Sequence, residues 1–110
     1  MSSQEVLYQV SEVIEDRKMN PQEGSYTNYL FDKGLDKILK KCGEECSEVI
    51  IAAKNGEQEE TVGEICDLLY HLLVMMAEQD IPLEAVETVL EERRQKIGNL
   101  KQFHVSDHNS

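Results

Sequence analysis

The sequence predicts an all-α domain: a helical bundle built on an antiparallel pair of long helices and completed by dimerisation. Three observations lead there. Apolar residues recur at helical spacing along most of the chain, and no run alternates apolar and polar as a half-buried strand does. Only two prolines, Pro21 and Pro82, punctuate 110 residues. The two longest helical patterns are separated by a few residues around Asn55-Gly56, a link too short for anything but an antiparallel neighbour.

Each element has its own signal. Val6, Val10, Val13 and Ile14 fall on one face of a helix from about Ser3 to Lys18, and Asn20-Pro21-Gln22-Glu23-Gly24 is a loop by composition. Ser25 is placed to cap a short helix over residues 25–30, which Asp32-Lys33-Gly34 breaks. Leu35, Ile38, Leu39, Cys42, Cys46, Val49, Ile50 and Ala53 form the stripe of a long helix from about Leu35 to Lys54, stopped by Asn55-Gly56. The next helix runs from near Glu59 to about Gln79. Between Ile65 and Ala77 it is apolar nearly all round, which calls for burial. Asp80 is the expected N-cap of a last helix with Pro82 in its first turn, with Leu83, Val86, Val89, Leu90 and Ile97 as its buried face and Gly98 as its end. Residues 1–98 thus read as a single domain, and residues 99–110 as a polar tail, mobile or partner-dependent. His104 and His108 fall in that tail as solvated residues.

Composition bounds the function. Acidic residues number 22 against 11 basic, for a formal net charge of -11, while 40% of the residues are hydrophobic. A core is affordable, but a general nucleic-acid binder or a protein docked on an anionic membrane needs the opposite charge. No apolar run approaches the ~20 residues of a membrane span, and the N-terminus has no signal-peptide pattern. Cys42, Cys46 and Cys66 lack CxxC spacing and read as small, reduced core residues of a cytoplasmic protein.

Most of the acids need no explanation beyond solubility; Glu12, Glu15, Asp16, Glu57, Glu84, Glu87, Glu91 and Glu92 read as solvated faces. Two clusters stand apart. In Gly43-Glu44-Glu45-Cys46-Ser47-Glu48, the wheel puts Glu45 and Glu48 on the flank of the apolar stripe with Lys41, and Glu44 further toward solvent. Like charges three residues apart on a helix repel. In Glu64-Ile-Cys-Asp67, Glu64 and Asp67 share with His71 a stripe roughly 60° wide on an otherwise apolar helix. A carboxylate there is costly unless something positive compensates it. Counted outward from the Asn55–Gln58 link, the two clusters lie at similar heights, so Glu45, Glu48, Glu64 and Asp67 can converge. Four carboxylates without a matching His or Cys set suit a hard cation, Mg²⁺ or Mn²⁺, rather than Zn²⁺.

Glu44-Glu45-xx-Glu48 followed by Glu64-xx-Asp67 resembles the EExxE…ExxD signature of the all-α nucleoside triphosphate pyrophosphatases, the MazG-like superfamily. The branch most similar is the phosphoribosyl-ATP pyrophosphatase family of histidine biosynthesis. The likeness is carried by Ser25-Tyr-Thr-Asn-Tyr-Leu30, the run from Lys33 to Lys41, Gly43-Glu-Glu45, the run from Glu48 to Lys54, the run from Glu64 to Val74, Val86-xx-Val89-Leu90 and the region of Arg93. It covers roughly residues 25–98; the segments before and after carry little of it.

The resemblance implies hydrolysis of phosphoribosyl-ATP to phosphoribosyl-AMP and pyrophosphate with Mg²⁺, Mn²⁺ being an alternative. It implies Glu45, Glu48, Glu64 and Asp67 as ligands, Glu44, Glu45 and Glu48 as catalytic carboxylates, and Lys41, Lys54 and Arg93 as contacts to substrate phosphates. It also implies a stand-alone enzyme, without the cyclohydrolase to which family members are often fused. Glu44 is the weaker ligand and suits orienting a basic group or accepting a water proton. Each basic residue has a plainer role: Lys41 as an i, i+4 partner of Glu45, Lys54 as charge complement to a helix C-terminus, Arg93 as partner of a core-edge acid. His71 reads as a hydrogen-bonding or core residue behind the ligands rather than as a ligand itself, and Tyr26 and Tyr29 as packing for the loop rather than as contacts to the base or ribose. The apolar girth of residues 65–77 exceeds what one chain can cover, which predicts a homodimer or higher homo-oligomer. Two competitors are a house-cleaning pyrophosphatase acting on nucleoside triphosphates and a non-enzymatic acidic helical binding protein. The latter has no use for acids inside an apolar helix, and no EF-hand spacing is present.

Overall fold

The computed structural model describes residues 3–97, with side-chain surroundings from residue 6 onward. Five helices follow one another among these residues: α1 (Ser3–Met19), α2 (Tyr26–Lys33), α3 (Leu35–Lys54), α4 (Gln58–Glu78) and α5 (Leu83–Ile97). The expected tail over 99–110, with His104 and His108, and the helix end at Gly98 lie outside the described residues.

Turn chemistry sets the boundaries. The Ser25 hydroxyl accepts a hydrogen bond from the Asn28 backbone N–H at 3.3 Å and caps α2 as expected. Gly34 ends α2 and begins α3 at once. Its N–H donates to the Leu30 carbonyl, its own carbonyl accepts from Ile38, and its φ of +94° with an extended ψ is a backbone state open essentially to glycine alone. At the end of α3, Gly56 sits at φ +72° while the N–H groups of Gly56 and Glu57 return to the carbonyls of Ala53 and Ala52, a Schellman closure.

A second Schellman closure ends α4 and corrects one expectation. Asp80 is not the N-cap of α5. It occupies the left-handed position at φ +58°, with its N–H bonded to the Ala77 carbonyl and that of Ile81 to Met76. Aspartate tolerates this conformation better than most residues. The Asp80 carboxylate instead meets the Lys18 ammonium at 3.0 Å, and Lys18 also donates to the Ala77 carbonyl at 2.7 Å. The C-terminal ends of α1 and α4 are thereby tied together. The Asn28 side chain makes a comparable tie, donating to the Arg17 carbonyl and accepting from the Gln22 N–H.

Helices α3 and α4 make the most extensive contact in the chain. The three residues between Lys54 and Gln58 cannot carry the chain back along a helix of 20 residues, about 30 Å long, so α4 has to return beside α3. The core is small and shared: Ile14 from α1, Leu30 from α2, Ile38 from α3, Leu73, Val74 and Ala77 from α4, and Leu83 from α5.

Burial departs from the predicted stripes at four places. On α1 only Ile14 of the predicted face is buried, and Val6 and Val13 are exposed. On α3 the buried residues are Ile38, Glu45 and Ala52, spaced by seven, while Leu39 and Ile50 face outward. On α4 burial is confined to His71, Leu73, Val74 and Ala77, and Ile65 and Leu69 are exposed. On α5 only Leu83 is buried, and Val86, Val89, Leu90 and Ile97 are exposed. Cys46 and Cys66 are exposed too, so only Cys42, half-buried, resembles a core cysteine; all three are free.

Leu30 is fully enclosed where α1, α2, α3 and α4 meet. Leu30→Ala is expected to lower the unfolding free energy by about 2–5 kcal/mol, as urea denaturation followed by circular dichroism will measure.

Candidate metal centre

Because α3 buries every seventh residue, the seam that takes Ile38 and Ala52 into the interior also takes Glu45. Its side chain is only 6% exposed. Glu48, one turn on, is exposed, and Glu64 of α4 is half-buried opposite. One carboxylate oxygen from each of Glu45, Glu48 and Glu64 lies within 4.8 Å of the other two. Asp67, one turn beyond Glu64 and exposed, stands close enough to act electrostatically on both Glu45 and Glu64.

The electrostatics of this cluster are unfavourable by themselves. Burial, then the neighbouring Glu48 and Asp67, raises the Glu45 pKa to about 7 from an ordinary 4.5, with Lys41 opposing weakly. Glu64 is pushed upward as well, by burial first and then by Glu48 and Asp67. A carboxylate that burial, and then other carboxylates, push toward holding its proton marks a place where positive charge is missing. Oxygen-only donors on two facing helices fit a hard divalent cation, and the absence of His or Cys from the cluster fits it poorly to zinc.

Behind the acids lies a hydrogen-bonded aromatic group. His71, 5% exposed, has Nδ1 at 2.7 Å from the Asp67 carbonyl oxygen. A carbonyl can only accept, so Nδ1 carries the hydrogen. In the neutral ring Nε2 then accepts from the Tyr26 hydroxyl, 2.9 Å away. Tyr70 meets both rings, edge-on to His71 and nearly parallel to Tyr26, and its hydroxyl is hydrogen-bonded to Thr27.

Residues 7–94 match the family described as phosphoribosyl-ATP pyrophosphohydrolase. The chain belongs to that family. Relatives named phosphoribosyl-ATP pyrophosphatase are similar over nearly their whole length. That of Clostridium botulinum strain Kyoto is 59% identical over 101 residues, 92% of each chain. That of Clostridium acetobutylicum is 56% identical over 102 residues, 93% of each. That of Listeria monocytogenes serotype 4b is 57% identical over 96 residues, 87% of this chain and 92% of the relative.

In this member of the family, the residues singled out from the sequence are distributed unevenly. Glu45, Glu48 and Glu64 meet, with Asp67 beside them. Glu45 lies on the buried seam rather than on its flank, because the seam follows Ile38 and Ala52, not the apolar stripe. Asp67 is exposed, so the expected cost of burying it does not arise in the single chain. Lys41 pairs with Glu44 at 3.5 Å, three residues on, rather than with Glu45 four residues on. Lys54 is exposed at the end of α3 and makes no ion pair among the described residues. Arg93 is exposed on α5, which is not among the helices packed appreciably on α3 and α4. Sequence reasoning missed the Tyr26–His71 bond. The one signal for it was His71 on the ligand stripe, a polar group in an apolar helix that had to find a partner.

A pH dependence follows from Glu45. Its folded pKa lies above the unfolded one, so the folded state gains from its protonation; that gain is complete below about pH 4.5 and lost as pH rises through about 7. Without divalent cation, the melting temperature is expected to decline across this window through Glu45, and the decline should be flattened in Glu45→Gln. Thermal melts in a chelator from pH 4.5 to 8 will measure both.

Proposed function

We propose that this chain hydrolyses phosphoribosyl-ATP to phosphoribosyl-AMP and pyrophosphate, with Mg²⁺, or Mn²⁺ in its place, held by Glu45, Glu48, Glu64 and Asp67. The observation that carries the reading is the meeting of carboxylates from α3 and α4 around buried Glu45 in a chain of the phosphoribosyl-ATP pyrophosphohydrolase family. A bound divalent cation neutralises charge on the triphosphate and lowers the pKa of a coordinated water.

The side chains divide the remaining work according to their exposure. Glu45 is committed to ligation, since at so buried a position its carboxylate has no ion-pair partner among the described residues and only the more distant Lys41 to offset it. Glu48, exposed beside it, is within reach of solvent and takes the proton of the attacking water. Glu44 holds the Lys41 ammonium, which the pair aims toward the phosphates. Lys54 contributes a second positive charge where α3 ends.

The reading includes a homodimer. Ile50, Ile51, Val62, Ile65 and Leu69 are exposed on α3 and α4, with Ile50 63% accessible. A second copy covering them removes apolar surface from water at roughly 25 cal/mol per Å². We place the activity in the cytoplasm, where its free cysteines remain reduced; no helix among the described residues is long and apolar enough to cross a membrane.

A house-cleaning pyrophosphatase would share the carboxylates and differ in substrate. Pyrophosphate release measured from phosphoribosyl-ATP beside a panel of nucleoside triphosphates is expected to favour the former; preference for an ordinary triphosphate would overturn the assignment. Glu48→Gln and Asp67→Asn are each expected to reduce Mg²⁺-dependent turnover by at least about 100-fold, on the scale of losing an electrostatic contact to the transition state, with the helical dichroism retained. Sedimentation at micromolar concentration is expected to give about twice the 12.6 kDa chain mass, a monomer being the contrary result.

A further inference from the structure

Tyr26 and Tyr29 do not pack the interior of the fold. They project from α2 at 46% and 42% exposure, which is unusual for two aromatic side chains in a molecule where aromatic residues make up 5% of the sequence. Their rings are near parallel, 22° apart with centroids at 6.0 Å, and together form one aromatic patch. The patch is held in place. Tyr26 donates its hydroxyl hydrogen to His71, whose other ring nitrogen is fixed on the Asp67 carbonyl, and it meets His71 edge-on with centroids 5.7 Å apart. The proton of Tyr26 is therefore engaged, and the residue remains 46% exposed, its ring near parallel to those of Tyr29 and Tyr70 at centroid distances of 6.0 and 6.2 Å. The Lys33 ammonium lies over the Tyr29 ring, 5.7 Å from its centroid, and adds a cation to the patch.

The patch adjoins the acidic cluster. His71 is one helical turn from Asp67, and Tyr26 is close enough to Lys41 and Glu45 to interact with their charges. An exposed, rigidly held aromatic patch next to a polyphosphate site has the chemistry to receive a flat, weakly polar ring.

Resting on the function proposed above, we infer that Tyr26 and Tyr29 form the stacking platform for the purine base of the substrate, with His71 as the residue that positions Tyr26. The base then lies on α2 while the triphosphate extends to α3 and α4. Stacking reads the face of a base and leaves the anhydride untouched, so the platform contributes to binding and not to the chemical step.

The test is steady-state kinetics with phosphoribosyl-ATP, with inorganic tripolyphosphate as a competitive inhibitor that lacks a base. Tyr26→Leu and Tyr29→Leu are each expected to raise KM roughly tenfold, the scale of one lost base–aromatic stack, with kcat within about threefold of wild type. Inhibition by tripolyphosphate should be unchanged. Tyr29→Phe, which keeps the ring, should remain within about threefold of wild-type KM, whereas Tyr26→Phe, which keeps the ring but loses the hydroxyl held by His71, should raise KM by less than Tyr26→Leu does. The platform is overturned if the leucine variants keep the wild-type KM, if they weaken tripolyphosphate equally, or if they change the sedimentation mass instead. Wild-type protein that releases no pyrophosphate from phosphoribosyl-ATP would overturn the functional reading itself, and the platform with it. An active wild type with indifferent tyrosine variants would remove the platform alone.

Discussion

The placement of one carboxylate on a buried helical seam governs this molecule. Glu45 takes the same heptad position as Ile38 and Ala52, so the packing of α3 against its neighbours draws a charged group inside. An ionised carboxylate in such a position costs several kcal/mol unless it is paired, against a typical domain stability of only about 5–15 kcal/mol. No lysine or arginine side chain among the described residues forms an ion pair with it; Lys41, the nearest in influence, is bonded to Glu44. The carboxylates that act on it, Glu48 and Asp67, make its position worse. The rest of the design is consistent with a site that is complete only with a divalent cation.

The helices around that site serve to hold α3 and α4 in register. The link of three residues closes through Gly56 with its left-handed backbone, so the chain turns without a stretch of loose loop. At the opposite end, Lys18 and Asp80 fasten α1 to the end of α4, and Asn28 fastens α2 to α1. Gly34 lets α2 turn directly into α3, which sets Tyr26 against His71 on the ligand-bearing helix. His71 thus links the acidic cluster to α2, its Nδ1 bonded to the Asp67 backbone and its Nε2 to the Tyr26 hydroxyl.

Much of this was legible in the sequence, for identifiable reasons. The helix limits were close because the chain supplies strong local signals: Ser25 as a cap, Gly34 as a break, Asn55-Gly56 as a stop. The convergence of Glu45, Glu48 and Glu64 was legible because a short link fixes which heights on two helices meet. Burial was less legible, because a helical wheel assumes that every apolar residue faces the same core. Leu39, Ile50, Ile65 and Leu69 do not, and the stripe they suggested was rotated away from the seam that holds Glu45. Asp80 misled because aspartate is at home both as an N-cap and in the left-handed position at a helix end, and the sequence alone does not say which closure wins. Arg93 was placed by analogy along a helix whose apolar face the single chain leaves uncovered.

The central claim concerns where a divalent cation binds. Crystals of the protein soaked in Mn²⁺, with anomalous scattering collected at the manganese edge, test it most directly. The account predicts anomalous density between α3 and α4, bounded by the carboxylates of Glu45, Glu48 and Glu64 with Asp67 alongside. Strong density at other acids, such as those of α1 and α5, with none around a Glu45 that stays buried and uncompensated, would contradict it.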